Sequence, residues 1–205
     1  MEIQKAKDFH EAEQIVAIHL SSFPGFFLTF LGKGFLKYLY KGFILHPGSG
    51  ILVAKEESRI VGFLAYSSNL SKFYSFILKR FFFQFAWYGF LGALRSPKSI
   101  VRIIRALTYP SAKKTDEKYI EISSIAVDPT GQTKGIGSEL IKHLCEMFKD
   151  SEFKVIRLET DADNNDAANA FYQKNGFELE YVSKSPEGRK MNHCKRQISN
   201  SLTSK

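Results

Sequence analysis

The spacing of apolar residues along the chain changes period several times, and each change predicts a helix or a strand. Residues 2–6 have the composition of a short first strand. Asp8 and Glu11 then have the spacing of a capping box, so a helix is predicted to begin there. After a loop, a second helix that is rich in aromatic residues is predicted at about 26–44.

Two β-rich runs come next, at 51–55 and 60–66, and the four polar residues between them predict an antiparallel hairpin. After a long interruption at 70–118, strands and helices alternate again. The remaining predicted elements are strands at 119–127, 154–160, 177–183 and 189–197 and helices at 136–149 and 165–174. The fold class is therefore mixed α/β, with a largely antiparallel first half and a βαβ crossover in the second.

Composition is that of an ordinary soluble protein, with 44% apolar and 24% charged residues in 205. The first residues contain no apolar signal core, and Cys145 and Cys194 are too few for a disulfide framework. We therefore expect a cytoplasmic protein with reduced thiols. The five histidines show no metal-ligand spacing, so no metal is expected. We expect one domain at 1–198, followed by a flexible polar tail at 199–205.

The net charge of +8 belongs to a single segment, residues 68–118, which holds ten Lys or Arg residues and two acidic residues. The same segment contains a run of aromatic residues from Phe81 to Leu91 and a basic amphipathic stretch from Ser96 to Leu107. Charge of one sign in one place attracts an acidic partner. We therefore interpret the segment as a basic, aromatic insertion in an otherwise neutral domain.

A glycine-rich turn follows the predicted strand at 119–127 and opens the helix at 136–149. Gly135 and Gly137 lie where a side chain would keep an anion away from the main chain. Unpaired N–H groups and the positive end of a helix dipole meet at this point, which favours a phosphate group. Position 140 is leucine, so the dinucleotide-binding pattern is incomplete, and the P-loop pattern is absent as well. A tight turn without a ligand is the alternative interpretation of the glycines alone.

Two blocks together resemble the GNAT superfamily of acyl-CoA-dependent N-acetyltransferases. The first is Gln132-x-x-Gly135-x-Gly137, which resembles the pyrophosphate-binding signature of that superfamily. The second runs from Asn165 to Phe177 and resembles the C-terminal motif. The resemblance is strong over 119–183, plausible over 1–67 and absent over 70–118. It implies a central, mostly antiparallel sheet of six to seven strands flanked by helices, with the insertion between the third and fourth strands.

The resemblance also implies acetyl-CoA as the acyl donor, with its pyrophosphate bound by N–H groups from Thr133 to Ser138. The pantetheine arm would pair with the main chain at the end of the fourth strand, which in the family is splayed to accept it. The implied cofactor-binding residues are Ile125, Ala126, Val127, Gln132, Thr133, Lys134, Gly135, Ile136, Gly137, Ser138, Asn165 and Ala168.

Two catalytic residues follow from the same resemblance. A lysine-like amine needs roughly 4–5 kcal/mol to lose its proton at pH 7, so a carboxylate that accepts the proton would help. Glu121 has the position of the general base in the histone-acetylating members; a solvated strand residue is the alternative. Tyr172 has the position of the family's general acid; a core aromatic is the alternative. Direct transfer in a ternary complex is the expected mechanism, and Cys145 is expected to pack rather than to carry an acyl group.

The acceptor is predicted only as a primary amine on a small molecule or a peptide. The basic field of the insertion favours an acidic acceptor, such as a nucleotide-linked amino sugar. It equally favours peripheral contact with a membrane through 76–107, and the aromatic residues would otherwise be additional core. No recognised motif predicts nucleic-acid binding. A homodimer is compatible with the sequence. The rival hypothesis is a membrane-associated acyl-CoA-binding or scaffold protein that has this fold and no turnover.

Overall fold

The computed structural model describes residues 1–95, 117–131, 133–185 and 188–198. Three predicted features lie outside this part of the chain: the basic stretch that begins at Ser96, Gln132 of the glycine-rich turn, and the tail at 199–205. In the described ranges, no helix combines the length and the apolar character that crossing a bilayer requires.

The described residues form one sheet of seven strands with helices on both faces. The strands are β1 (Glu2–Lys5), β2 (Ser49–Glu56), β3 (Arg59–Ser67), β4 (Tyr119–Val127), β5 (Val155–Asp161), β6 (Glu178–Lys184) and β7 (Lys190–Gln197). The helices are α1 (Phe9–Ser22), α2 (Phe27–Phe30), α3 (Gly32–Leu45), α4 (Leu70–Arg80), α5 (Phe82–Arg95), α6 (Ile136–Phe148) and α7 (Asp166–Lys174). The strand order is β1-β2-β3-β4-β5-β7-β6, and only the β4–β5 pair is parallel. The predicted mixed, mostly antiparallel sheet with its insertion between the third and fourth strands is confirmed.

The sheet separates two hydrophobic cores, because side chains alternate between its faces. On one face, α1, α3, α4 and α5 pack over buried residues such as Val53 and Phe63. On the other face, α6 packs over Leu64, Ile120 and Ile156, and α7 adds Phe171 and Tyr172 at the edge of the core. The capping box of α1 is formed as predicted, because the Asp8 side chain accepts from the Glu11 N–H at 2.9 Å and Glu11 bonds back.

One predicted element is wrong: the single helix at about 26–44 is two helices. The short helix α2 ends at Phe30, and α3 begins at Gly32, whose φ is 83°. Glycine adopts this left-handed conformation readily, so the chain changes direction there and does not continue the helix. The other predicted elements begin and end within two residues of those observed.

The insertion begins as part of the core. Inward residues of α4, of α5 and of the junction between them are at most 6% exposed and pack on α3; they are Phe73, Ile77, Phe81 and Phe85. The Phe73 ring stacks on Phe43 with 4.0 Å between ring centroids. Gly42 of α3 has no side chain where α4 comes closest, since a Cβ there would lie 2.3 Å from Cγ2 of Ile77. The first part of the insertion is therefore structural.

We predict that Phe73→Ala lowers the free energy of unfolding by about 3–5 kcal/mol, because the change removes a fully buried ring and leaves a cavity. Chemical denaturation measures this loss. The matched control is Phe83→Ala in α5, where the ring is 82% exposed, and we expect a change within about 0.5 kcal/mol. Equal losses in the two variants would contradict the packing of α4 described above.

Candidate active site

The glycine-rich turn presents main-chain N–H groups that donate to no acceptor in the described part of the chain. Gly135 caps the N-terminus of α6 with φ 85°, a conformation that favours glycine, and nothing lies within 4 Å of where its Cβ would be. The first main-chain bond of the helix runs from the Glu139 N–H to the Gly135 carbonyl at 3.1 Å. Among the described residues, the N–H groups from Thr133 to Ser138 have no hydrogen-bond partner. The turn therefore has the geometry of an anion site.

Strand β4 separates from β5 in the middle of its length. The parallel ladder between them ends at Ile122 and Leu158, whereas β4 continues to Val127 beside β3. The Asp128 N–H donates to the Val61 carbonyl at 2.9 Å, and successive residues of a strand face opposite neighbours. Ala126 therefore turns its main chain towards β3, and Ile125 and Val127 turn theirs towards the gap. The Ser22 hydroxyl donates to the Val127 carbonyl at 3.1 Å.

A cavity of about 210 Å³ lies in this gap. It is lined by His19, Phe23, Phe26, Leu28, Ser123, Ser124, Ile125, Glu159, Thr160, Asp161, Asn165, Ala168, Tyr172, Arg189 and Met191. Ile125 connects the cavity to the glycine-rich turn, since its Cδ1 lies 3.9 Å from where a Cβ of Gly137 would be. Gly137 also lets α6 approach α7, because that Cβ would lie 2.9 Å from Cζ of Phe171.

Helix α7 supplies three residues that the sequence predicted, and all three line the cavity. Asn165 precedes the helix and donates to the Thr160 hydroxyl at 2.6 Å, and Ala168 lies one turn further along. Tyr172 packs against Phe171 and Phe177. Burial raises the pKa of Tyr172 to about 12, so its hydroxyl keeps its proton at neutral pH.

Glu121 lies outside the cavity, in an adjoining pocket on the same face of the sheet. Its lining residues are Tyr119, Glu121, Arg157, Leu158, Glu159, Glu180, Tyr181, His193 and Cys194. Glu121 is opposite Arg157 in the β4–β5 register and is partly buried. Burial raises its pKa to about 7, the Glu159 carboxylate adds to the rise, and the Arg157 guanidinium opposes it.

Glu159 is the carboxylate that joins the two spaces, because it lines both of them. Its Oε1 lies 3.2 Å from Nδ1 of His193, and Nε2 of His193 is 2.7 Å from the Ser183 hydroxyl. The charges of Glu121 and Glu159 also reach α4: burial raises the pKa of Tyr74, and both carboxylates add to that rise. Glu159 therefore lies at the cavity, and Glu121 lies beyond it in the adjoining pocket.

Comparison with known proteins shows the family to which this chain belongs. The model of the acetyltransferase (GNAT) family matches residues 12–177, most of the chain. The chain belongs to the GNAT acetyltransferase family. It is accordingly a GNAT-type N-acetyltransferase, and the resemblance predicted from the two sequence blocks is confirmed. None of the curated proteins matches this chain.

Solved structures agree on the fold. The ribosomal-protein-S18-alanine N-acetyltransferase of Escherichia coli is 14% identical with a TM-score of 0.58, and the match covers 99% of each chain. A GNAT-family acetyltransferase of Streptococcus pneumoniae is 15% identical with a TM-score of 0.58, covering 97% of this chain and 99% of that one. YncA of Salmonella typhimurium, solved with its cofactor acetyl-CoA, is 14% identical with a TM-score of 0.56, covering 100% and 97%.

The first helix of the GNAT fold contributes a residue that the sequence analysis missed. His19 lines the cavity, its Nδ1 is 2.7 Å from the Tyr40 hydroxyl, and that hydroxyl is 3.3 Å from the hydroxyl of Ser124. His19 is 3% exposed, and burial lowers its pKa to about 4, so the ring is neutral at pH 7. Within the described chain its Nε2 has no hydrogen-bond partner.

Glu159, Asp161 and Arg189 were missed as well. A signal for the first two was present: in the otherwise apolar strand β5, residues 157, 159 and 161 are all charged and share one face. Arg189 reaches the site from the loop before β7, where its guanidinium binds both carboxylate oxygens of Asp161 at 2.5 and 2.6 Å. No group of three or more His, Cys, Asp or Glu side chains in the described residues is arranged to hold a metal ion.

We predict that Glu121→Gln stabilises the protein at pH 8 by roughly 1–3 kcal/mol, because the glutamine removes a carboxylate that is hard to ionise in the folded state. The folded-state pKa of about 7 lies above the ordinary value of 4.5, so the folded protein holds this proton more tightly than the unfolded chain. The stabilisation should therefore grow from about pH 4.5 to 7 and level off above that. Urea denaturation at pH 4.5, 6 and 8 tests it; a difference that does not depend on pH would contradict the shifted pKa.

Proposed function

We propose that this protein transfers an acetyl group from acetyl-CoA to a primary amine held in the cavity between β4 and β5, by direct transfer in a ternary complex. One observation carries the proposal. The open edge of β4 at Ile125 lies between the unpaired amides of the glycine-rich turn and a cavity that contains Glu159 and Tyr172. A donor bound along that edge would have its phosphates at one end and the reacting carbon at the other.

The residues present fit acetyl-CoA. The N–H groups from Thr133 to Ser138 would hold the pyrophosphate, and hydrogen bonds to a charged group are worth roughly 1.5–3 kcal/mol each. The main-chain groups of Ile125 and the N–H of Val127 would pair with the pantetheine arm, which is the role predicted for this strand. Ala126 faces β3 and would contribute no such bond. The acetyl-CoA in YncA, whose fold is similar, supports this donor.

We propose that Glu159 receives the proton of the acceptor ammonium, directly or through water, and that Glu121 stands behind it. Glu159 touches the cavity, whereas Glu121 reaches it only through the pocket that the two carboxylates share. A group with a pKa near 7 is well matched to proton transfer at neutral pH, and Glu121 has such a pKa. The role predicted for Glu121 thus becomes that of a second proton acceptor.

Tyr172 is suited to donate a hydrogen bond rather than a whole proton. Bound acetyl-CoA supplies the acetyl group as a thioester, whose sulfur becomes an anion as the group leaves. The thiol has a pKa near 8.5, and the pKa of Tyr172 is about 12, so complete proton transfer from the tyrosine is uphill by roughly 4–5 kcal/mol. A hydrogen bond from a buried hydroxyl stabilises the developing charge without that transfer.

The cavity favours an amine carried on an apolar body. Its walls combine the carboxylate of Glu159 with apolar side chains of the α1–α2 loop, α2 and β7, which are Phe23, Phe26, Leu28 and Met191. Asp161 is already paired with Arg189. A negative wall attracts an ammonium group. The charge of the insertion predicted an acidic acceptor. The acidic part of such an acceptor would have to lie outside this cavity, because the wall of the cavity is negative.

We predict that Gly135→Glu abolishes measurable acetyl-CoA binding, because it places a carboxylate and a strained left-handed residue at the pyrophosphate site. Isothermal titration calorimetry with acetyl-CoA measures the loss. The matched control is Gly25→Glu, since Gly25 has φ 82° and equally open space around it but lies in the α1–α2 loop. Unchanged affinity in the Gly135 variant, or an equal loss in both, would remove the phosphate assignment.

We predict that Glu159→Gln lowers kcat at pH 7 by about 100-fold or more, since the amide cannot accept the ammonium proton. Glu121→Gln should lower kcat less and should remove the dependence of kcat on a group of pKa about 7. Release of free thiol from acetyl-CoA against a panel of primary amines provides the assay.

The control for these variants is Glu180→Gln, a carboxylate that lines the pocket of Glu121 but not the cavity. It should retain wild-type turnover. Full activity of Glu159→Gln would exclude Glu159 as the proton acceptor. Acetyl-CoA binding without turnover on any amine would instead favour the rival hypothesis of a binding or scaffold protein.

A further inference from the structure

Helix α5 has an aromatic face that the domain leaves in solvent. The rings of Phe82, Phe83, Trp87 and Phe90 are 61%, 82%, 59% and 57% exposed. Three of them recur at intervals of four and three residues, so they form one continuous stripe along the helix. Single exposed apolar side chains are common in soluble proteins, but a continuous stripe of three rings, with Phe82 exposed beside it, marks a binding surface.

The opposite face of α5 holds this stripe rigidly in place. Phe85 packs edge-on against Phe35 of α3 with 4.7 Å between ring centroids. Tyr88 lies against Gly34, where a Cβ would be 2.2 Å from the tyrosine ring, and it also faces Tyr38. Helix α5 is thus already packed on α3 in the free protein, and binding a partner would not require this helix to fold.

Every charged residue in α4 and α5 is basic. Helices α4 and α5 together contain Lys72, Lys79, Arg80 and Arg95 and no aspartate or glutamate. Lys79 and Arg80 are exposed at the end of α4, directly before the stripe begins. Exposed aromatic rings with basic residues beside them suit the boundary between lipid headgroups and acyl chains, where each basic residue contributes about 1 kcal/mol on an anionic surface.

We propose that the outward face of α5 docks this protein on an anionic membrane surface, with Phe83, Trp87 and Phe90 inserted below the headgroups. At 14 residues the helix is roughly 21 Å long, whereas the hydrocarbon core of a bilayer is about 30 Å thick, so it lies in the plane of the surface. The predicted membrane contact over 76–107 is thereby narrowed to one helical face. This docking does not depend on the proposed reaction.

The chain carries its own reporter for the test, because Trp87 is its single tryptophan. The full-length protein, without acetyl-CoA, is mixed with vesicles of phosphatidylcholine containing 30% phosphatidylglycerol. We expect a blue shift of tryptophan emission, quenching by lipids brominated on the acyl chain, and weaker binding in 0.5 M NaCl. Vesicles of phosphatidylcholine alone should bind at least tenfold more weakly.

The decisive variant is Phe83→Ser/Phe90→Ser, which retains Trp87 and should bind the anionic vesicles at least tenfold more weakly, with unfolding midpoints unchanged. Leu179→Ser/Val182→Ser is the matched control, because it removes two apolar side chains of β6 that are 58% and 49% exposed on another surface. That control should bind like the wild type.

Three outcomes would overturn the proposal. The first is an emission spectrum that anionic vesicles do not change. The second is a blue shift that depends on protein concentration without lipid, which would show a second copy on this face. The third is emission that is already blue-shifted and inaccessible to acrylamide in the free protein, which would show the stripe covered by the chain itself. Loss of acetyl-CoA binding or turnover affects none of these readouts.

Discussion

After Ile122, strand β4 no longer pairs with β5, and the rest of the site depends on the main-chain hydrogen bonds that are missing there. Buried N–H and carbonyl groups must find partners, because leaving one unpaired costs about 1–3 kcal/mol. By turning from β5, strand β4 leaves the main chain of Ile125 facing a gap, and β5 remains paired to β7 as far as Asp161. A ligand that pairs like a strand restores those bonds. The separation of two neighbouring strands therefore produces both the cavity and the edge that can hold an extended cofactor.

The same separation decides which carboxylate lines the cavity. Charged side chains at 121, 157 and 159 share one face of the sheet, and burial between the sheet and the helices above raises the pKa of Glu121. Glu159 lies one pleat further towards the gap than the paired residues Glu121 and Arg157, so it is exposed to the cavity. The buried carboxylate has the pKa suited to a base, and its neighbour has the access. The proposed proton relay would use the pKa of Glu121 together with the position of Glu159 at the cavity.

Periodicity predicted those parts of the fold that depend on local sequence. Strand β4 was predicted with its observed ends, and Gly135 and Gly137 were recognised because a turn before a helix needs them. The break at Gly32 was missed because apolar residues continue on both sides of it, and its φ of 83° is set by how α2 and α3 pack. His19 and Glu159 were missed for a different reason. They lie far apart in sequence, and only the completed sheet brings α1 beside the end of β5.

The insertion shows how one helix can serve the core and a surface at once. Its inward rings fix α3, and Tyr40 of α3 bonds His19 and Ser124 in the cavity wall. Its outward rings are exposed on the opposite face of the helix. The proposed membrane docking and the proposed acetyl transfer are therefore physically separable, because removing an exposed ring leaves the packing that supports Tyr40 intact. Because the cavity lies on one side of α3 and the aromatic stripe on the other, the proposed docking would bring the protein to a lipid surface without placing the cavity in lipid.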